Sequence, residues 1–282
     1  MDEGLLSRIE DASLNASAPQ QQLWMDGWIV RTSPGKARRA RCINAVATGR
    51  LPVDQKLALA AATFRTAHLP MVVRITRFTQ PADLDAQLAD RGWQAVDETR
   101  VMVCPLSTTW LPATPPVARS DTRSDTLPAA LPAALPAARP IALPAGMHWQ
   151  RLDASTYAQE VGALRGSPPE QCLAHAQRLA QSPVPYEGYV LRRDSDGQVL
   201  ACGQFAREAE LVGLYDVFTR QTYRGKGLAG LLCESLLSIA ASAGAMVAYL
   251  QTEADNHAAR RVYERLGFVD AYSYHYRQPP TA

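Results

Sequence analysis

Residues 215–237 read YDVFTRQTYRGKGLAGLLCESLL, and this stretch decides the fold. Its beginning is rich in aromatic and β-branched residues, as strands are, whereas its end has the apolar spacing of a buried helix. The turn between them carries Arg224, Gly225, Lys226 and Gly227. We therefore predict a strand, a glycine-rich turn and a helix in direct succession.

The predicted start of this helix is suited to binding an anion. The amides of a first helical turn have no partner within the helix, and the helix dipole makes that end positive. Gly225 and Gly227 let a phosphate approach the main chain. Arg224 and Lys226 add positive charge beside it. A pyrophosphate is therefore a more natural ligand here than a carboxylate.

Two nucleotide-binding motifs come close to this pattern. Gly225, Gly227 and Gly230 satisfy the dinucleotide motif GxGxxG, and an acid, Glu253, follows Gly230 after 23 residues. A dinucleotide fold needs further parallel strands, however, and only about thirty residues remain beyond Glu253. A Walker A loop requires Ser or Thr after its lysine, whereas Lys226 is followed by glycine. Both nucleotide-binding motifs therefore fit this sequence poorly, and an NAD-binding oxidoreductase is kept only as a weaker alternative to the interpretation that follows.

A second stretch, residues 256–268 with the sequence NHAARRVYERLGF, supports another interpretation. Together the two stretches resemble the GNAT superfamily of N-acetyltransferases, whose R/QxxGxG/A signature is matched by Arg224, Gly227 and Ala229. The second stretch resembles the last helix and turn of that family, at Asn256, Ala259, Tyr263, Gly267 and Phe268. The resemblance covers residues 147–277.

The resemblance implies an α/β fold with a mixed central sheet, two splayed strands and flanking helices. It also implies that acetyl-CoA is the co-substrate, that no metal is needed, and that an acetyl group moves to a primary amine in a ternary complex. The residues that the resemblance places on CoA are Val217, Thr219, Arg224, Gly225, Lys226, Gly227, Leu228, Ala229 and Asn256. A bulge in the flanking strands would leave main-chain groups free for the pantetheine arm.

The resemblance gives Tyr263 the role of protonating the departing CoA thiolate. Tyr263 follows Asn256 by two helical turns, so both side chains can face one groove. The attacking amine must lose a proton, and Asp216 or Glu253 at the ends of neighbouring strands is the expected base. Strand alternation predicts that only one of Asp216 and Val217 faces the groove.

Each of these assignments has a simpler alternative. Tyr263 would otherwise be a packed aromatic of an amphipathic helix, and the acids would be exposed surface charges. Glu210, at a predicted hairpin, is a third candidate acid. If the anion site exists but amine activation does not, the protein is a non-catalytic acyl-CoA-binding or regulatory module.

A proline-rich segment divides the chain. Pro128, Pro132, Pro136, Pro140 and Pro144 recur at every fourth residue, and such a repeat forms neither a helix nor a central strand. We predict an N-terminal segment, a partial GNAT-like α/β domain, a linker and a GNAT domain, at residues 1–19, 20–105, 106–146 and 147–278.

The predicted elements follow apolar periodicity, caps and turn residues. In the first domain we predict strands at 27–32, 71–77 and 98–103 and helices at 53–67 and 81–91. In the second we predict strands at 147–151, 186–193, 199–207, 211–219, 246–252 and 269–276 and helices at 154–165, 168–181, 227–243 and 256–265.

The first domain resembles part of a GNAT domain, of the kind that precedes a complete one in tandem acetyltransferases. The helix that begins at Val53 lacks the RxxGxG turn, so we expect no CoA there. Arg38, Arg39 and Arg41 form a basic loop that we expect to be solvated. A contact with an acidic substrate or the CoA 3'-phosphate is the alternative for this loop.

Composition limits the partners and the compartment. Lys and Arg number 29 against 27 Asp and Glu, so the charge of +2 gives no broad surface for nucleic acid or an anionic membrane. The five cysteines are odd in number and never spaced CxxC, which argues against a disulfide framework or a zinc site. The N-terminus lacks the basic and apolar regions of a secretory signal. We expect a cytoplasmic enzyme acting on a small-molecule or peptide amine, with oligomeric state open and a homodimer included.

Overall fold

The computed structural model describes residues 2–33, 37–106 and 143–280. The elements of the first part are α1 (Glu3–Ala16), β1 (Gln22–Met25), β2 (Trp28–Arg31), β3 (Ile43–Ala45), α2 (Val53–Thr66), β4 (Val73–Ile75), α3 (Leu84–Asp90) and β5 (Gln94–Pro105). Helix α1 and strands β1 and β3 are additions to the elements that the sequence predicts. The predicted N-terminal segment, residues 1–19, therefore contains a helix.

The second part follows its sequence-based prediction within two residues at every boundary. Its elements are β6 (Met147–Leu152), α4 (Ala154–Arg165), α5 (Pro169–Ala180), β7 (Tyr186–Arg193), β8 (Val199–Glu208), β9 (Leu211–Thr219), α6 (Leu228–Ser242), β10 (Val247–Glu253), α7 (His257–Arg265) and β11 (Val269–Gln278). None of the helices in the three described ranges is long and apolar enough to cross a bilayer.

The strands of the described residues form one mixed sheet of eleven strands, in the order β1-β2-β3-β4-β11-β5-β10-β9-β8-β7-β6. This confirms the mixed α/β class with a central sheet. Strand β5 lies between β10 and β11 and pairs antiparallel with both. The first part of the chain thus supplies a strand to the middle of the second part's sheet.

The boundaries between the predicted domains remain predictions. The end of β5 coincides with the predicted end of the first domain at residue 105. Most of the predicted linker, residues 107–142, lies outside the described residues. The division into domains at 20–105 and 147–278 is therefore a proposal from composition.

Helix α6 packs on the sheet and forms a large apolar core with it. Leu232 and Leu236 of the helix are fully buried among residues of β8, β9 and β10. A Cβ on Gly203 of β8 would come within 2.9 Å of the Leu232 side chain. Glycine at this position therefore lets the helix lie close to the sheet, with its N-terminus beside the end of β9.

Helix α1 is held on the sheet by a buried ion pair. The carboxylate of Glu10 contacts the guanidinium of Arg74 in β4 at two points and accepts a hydrogen bond of 2.7 Å from the Tyr272 hydroxyl. Burial alone would raise the pKa of Glu10, but the charge and hydrogen bonds of Arg74 bring it below its ordinary value. The paired carboxylate is therefore charged in the folded protein.

Replacing Glu10 with Gln tests this interaction, because it leaves the Arg74 charge buried and uncompensated. We expect the free energy of unfolding to fall by about 3–5 kcal/mol. Glu3→Gln on the same helix is the control, since its ion pair with Arg77 is exposed and is worth about 0–1 kcal/mol. Urea unfolding followed by circular dichroism measures both variants. Equal losses in the two would contradict a special contribution of the buried pair.

Candidate active site

Strands β9 and β10 are parallel neighbours that separate before they end. Their pairing joins residues 211–214 of β9 to residues 247–250 of β10 and then stops. Beyond that point β10 stays paired with β5 as far as Glu253, and β9 stays paired with β8 as far as Thr219. A groove therefore opens between the carboxyl ends of two central strands.

A β-bulge in β9 marks the point of separation. Asp216 has a left-handed backbone with a φ of 54°, and the register with β8 shifts between Cys202 and Gln204. One residue of β8, Gly203, therefore faces both Asp216 and Val217. A bulge bends its strand, which turns the end of β9 away from β10. This confirms that an interrupted ladder lets the strands part.

The two residues at the bulge contact different layers of the fold. Strand alternation predicts that Asp216 and Val217 point to opposite sides. The Asp216 carboxylate contacts Arg165 of α4 and His175 of α5, whereas Val217 packs against the apolar core that α6 forms with the sheet. Their side chains therefore point to opposite sides as predicted, and both residues border the groove.

The edge of β9 that faces the groove has main-chain groups available to a ligand. The Arg220 amide donates to the Leu200 carbonyl of β8 at 2.8 Å, so Arg220 presents its main chain to β8. Alternation then turns the main-chain groups of Val217 and Thr219 toward the groove. The Thr219 carbonyl accepts only a long hydrogen bond of 3.4 Å from the Arg224 side chain. An extended, amide-bearing ligand can pair with this edge.

The turn after β9 leads into α6 through amides without acceptors. Gly225 and Gly227 have left-handed φ values of 75° and 78°. The first backbone hydrogen bond of α6 joins the Leu231 amide to the Gly227 carbonyl at 3.1 Å. Within the described ranges, the amides of residues 225–230 therefore have no main-chain acceptor. We call residues 224–229 the cradle.

The cradle has space and positive charge for a diphosphate. No atom lies within 4 Å of the position that a Cβ would take on Gly225 or Gly227. The Arg224 guanidinium lies 5.4 Å from the centre of the Phe218 ring, and the Lys226 ammonium lies 4.5 Å from that of Tyr223. Unused amides, a positive helix end and two cations fit a diphosphate.

Tyr263 and Asn256 line the groove from α7. The Asn256 side chain caps this helix by accepting a hydrogen bond of 3.1 Å from the Ala259 amide. Tyr263 is 8% exposed and packs edge-to-face against Phe268. Burial raises the pKa of the Tyr263 hydroxyl, with a smaller contribution from Cys233. The hydroxyl is therefore protonated at neutral pH and can donate a proton.

Asp216 is held by three side chains. Its carboxylate lies 2.7 Å from the Gln204 amide nitrogen, 3.1 Å from His175 Nε2 and 3.3 Å from the Arg165 guanidinium. Burial would raise the pKa of Asp216, but the close contact with His175 and the charge of Arg165 hold it well below its usual range. A carboxylate stabilised in this way is a weak proton acceptor.

Glu253 lies at the end of β10 on the opposite side of the groove. It is exposed and lines the groove, and no ion pair involves it among the residues that the structure describes. Glu210, the third candidate acid, is paired with Arg8 at 2.5 Å and does not line the groove. Glu253 is thus the best-placed proton acceptor of the three.

Comparison with known proteins identifies the second part of the chain. A family model described as the acetyltransferase (GNAT) family matches residues 155–268. Residues 155–268 are a GNAT acetyltransferase domain. This range includes the separated strands, the cradle and Tyr263, so the GNAT resemblance seen in the sequence is confirmed for this domain.

Other similarities extend beyond the GNAT domain. The uncharacterized N-acetyltransferase YobR of Bacillus subtilis is 24% identical over 251 residues, which cover 89% of each chain. A GCN5-related N-acetyltransferase from Kribbella flavida has a TM-score of 0.61 at 17% identity, covering 98% of this chain and 96% of that one. A tandem GNAT protein from the clavulanic acid biosynthesis pathway has a TM-score of 0.57 at 14% identity, covering 81% of this chain and 70% of that one. Both solved structures show a shared fold.

The wall of the groove outside the GNAT motifs contains Arg178 and Tyr186, which the sequence analysis did not name, and Arg39, for which it gave a ligand contact only as the alternative. Arg39 follows β2, and Arg178 and Tyr186 come from α5 and β7; all three line the groove, a cavity of about 360 Å³. The expectation that the loop of Arg39 is solvated is wrong for this residue. Its guanidinium lies 5.8 Å from the centre of the Tyr215 ring. The run of arginines was a visible signal, but no local pattern shows which one turns inward.

A substitution in the cradle tests whether the GNAT domain binds acetyl-CoA there. Gly227→Ala places a methyl group where a diphosphate would approach, so we expect the dissociation constant of acetyl-CoA to rise about tenfold or more. Gly92→Ala is the matched control, because Gly92 has the same φ of 78° and equally open surroundings. Titration calorimetry measures both. If both variants bind acetyl-CoA equally well, acetyl-CoA does not bind through the cradle.

Proposed function

We propose that this protein is an N-acetyltransferase that moves the acetyl group of acetyl-CoA directly to a primary amine. The observation that carries the proposal is the groove between β9 and β10. An open strand edge leads from this groove to the unused amides of the cradle. Tyr263 and Glu253 line the groove itself. A proton donor and a proton acceptor thus share one cavity with a free strand edge.

In this proposal the chain binds acetyl-CoA mainly through its backbone. The amides of residues 225–229 hold the pyrophosphate, and the main chain of Val217 and Thr219 pairs with the pantetheine amides. Asn256 borders the groove from the start of α7. The bound thioester supplies an electrophilic carbonyl carbon. Holding it beside the amine contributes much of the rate by itself.

Two side chains transfer the protons of the reaction, one as acceptor and one as donor. Glu253 accepts the proton that the amine loses, directly or through a water molecule. Tyr263 donates its hydroxyl proton to the sulfur of the departing CoA. Its raised pKa keeps that proton in place at neutral pH until it is needed. Asp216, held by Arg165 and His175, shapes the groove and is the weaker candidate base.

Direct transfer is supported by the state of the cysteines. The residues that line the groove in the described part of the chain include no cysteine. Burial raises the pKa of Cys202 and of Cys233 to about 12. Their thiols are therefore protonated and weakly nucleophilic at neutral pH. A covalent acetyl-cysteine route has no suitable residue at this groove.

The NAD alternative finds less support in the sheet. A dinucleotide fold binds its ligand at the end of a run of parallel strands. Here β10 is parallel to β9 but antiparallel to its other neighbour, β5. The glycine pattern at 225–230 therefore lies in a sheet that does not continue as the run of parallel strands that a dinucleotide fold requires.

Replacing Tyr263 with Phe removes the proposed proton donor and little else. We expect kcat for acetyl transfer to fall about 100-fold or more, with the dissociation constant of acetyl-CoA nearly unchanged. Tyr189→Phe is the control, since Tyr189 bonds Glu187 and does not line the groove. Release of free CoA thiol measures the rate. Full activity in the Tyr263 variant would contradict its role, and acetyl-CoA binding by the wild type without transfer to any amine would favour a non-catalytic module.

Replacing Glu253 with Gln tests the base. We expect kcat to fall about 100-fold, because the amide cannot accept a proton. Glu264→Gln, an exposed acid one element away on α7, is the control. The pH dependence of kcat should lose its acidic limb in the Glu253 variant alone. If that limb persists, the base is another group, with Asp216 next to be tested.

A further inference from the structure

Two arginines of the groove have no acidic partner. The ion pairs formed by described residues include Arg74 with Glu10 and Arg165 with Asp216, but none involves Arg39 or Arg178. No described residue accepts a hydrogen bond from the Arg39 side chain, whose Nη1 atom is itself buried, so that a ligand would have to use its other donors. Among the described residues, Arg178 makes only a long hydrogen-bond contact of 3.5 Å with the Tyr186 hydroxyl. Both guanidinium groups therefore retain donors that no described residue uses.

These two arginines face the same cavity. Both line the groove, and each packs over a tyrosine ring, at 5.8 Å for Arg39 over Tyr215 and 5.3 Å for Arg178 over Tyr186. The rings hold the guanidinium planes in place and cannot neutralise their charge. A half-buried charge without a counter-ion costs free energy, so a bound anion would stabilise this wall of the groove.

A second cavity adjoins the groove on this side. It has a volume of about 280 Å³, lies between the residues around Ala37 and helices α4 and α5, and shares Arg165, Arg178 and Asp216 with the groove. Together the two cavities have room for a small acceptor beside the thioester. Arg165 and Arg178 line both cavities, whereas Arg39 and Glu253 line the groove and not the second cavity.

The positive charge on this wall disfavours an acceptor that carries only amino groups. Arg39 and Arg178 would repel a second cationic group, since Asp216 is already paired with Arg165, whereas Glu253 attracts the reacting amine. A guanidinium binds a carboxylate or a phosphate through two parallel hydrogen bonds. The residues of the cradle do not line this cavity, so the arginines are not placed to bind the CoA diphosphate.

We propose that the acceptor is a small primary amine that also carries an anionic group, a carboxylate or a phosphate. Arg39 and Arg178 bind the anionic group, and the amine reaches Glu253 and the thioester. This inference rests on the proposed acetyl transfer and names the substrate class of the same site.

The test compares acceptors of matched size in acetyl transfer. One pair is 4-aminobutyrate and butylamine, and the other is O-phosphoethanolamine and ethanolamine. We expect kcat/KM to be about tenfold or more higher for the anionic member of at least one pair. A preference within the first pair would indicate that the site binds a carboxylate, and a preference within the second pair would indicate that it binds a phosphate. Equal rates within both pairs, or faster transfer to butylamine and ethanolamine, which lack an anionic group, would overturn the inference.

Arg39→Gln should abolish this preference by raising KM for the amine that carries an anionic group, with KM for acetyl-CoA and transfer to its partner without that group nearly unchanged. Arg178→Gln is a second variant with the same expected effect, in case the first folds poorly. Arg41→Gln is the matched control, since Arg41 belongs to the same loop and does not line either cavity. Equal loss for amines with and without an anionic group in both groove variants would indicate a structural role and overturn the inference.

A binding measurement separates this inference from the proposed function. If no amine is acetylated, acetyl transfer is wrong, but the anion site can still be tested. Butyrate and inorganic phosphate are then added to the wild type and to the Arg39→Gln variant in thermal unfolding. An increase in Tm that requires Arg39 supports an anion site. No increase, or the same increase in both proteins, overturns it.

Discussion

The carboxylate of Asp216 and the side chains that hold it determine where the sheet opens. A left-handed backbone at a non-glycine residue of a strand costs about 1–3 kcal/mol. Gln204 of β8, Arg165 of α4 and His175 of α5 each contact this carboxylate and offset that cost. The bulge is therefore fixed by three different elements. The groove, its free strand edge and the approach to the cradle all depend on this one residue keeping its conformation.

The cradle and the wall of the groove outside the GNAT motifs have different origins. The cradle is local, since one turn and the start of one helix supply all of its amides. The opposite wall is assembled from distant parts of the chain, with Arg39 from the first part and Arg178 and Tyr186 from the second. The first part therefore contributes to the cavity in addition to the sheet. A GNAT domain without it would lack both Arg39 and a central strand.

This difference explains what could be predicted from the sequence. The turn at Gly225 and Gly227 and the helix after it follow from glycine conformations and from the unpaired amides of a first helical turn, which are local. The inward turn of Arg39 depends on the ring of Tyr215 beneath it, 176 residues further along the chain. The pairing of β5 is equally non-local, because apolar alternation predicts a strand but does not name its neighbours.

The position of β5 has a consequence for the order in which the protein is assembled. During synthesis from the N-terminus, β5 leaves the ribosome long before β10 and β11, which cover its two edges. Its apolar stretch, residues 101–104, is meanwhile a template for pairing with other chains. Completion of the sheet has to wait for the last strands, so protection of this segment by a chaperone would favour a high yield of native protein.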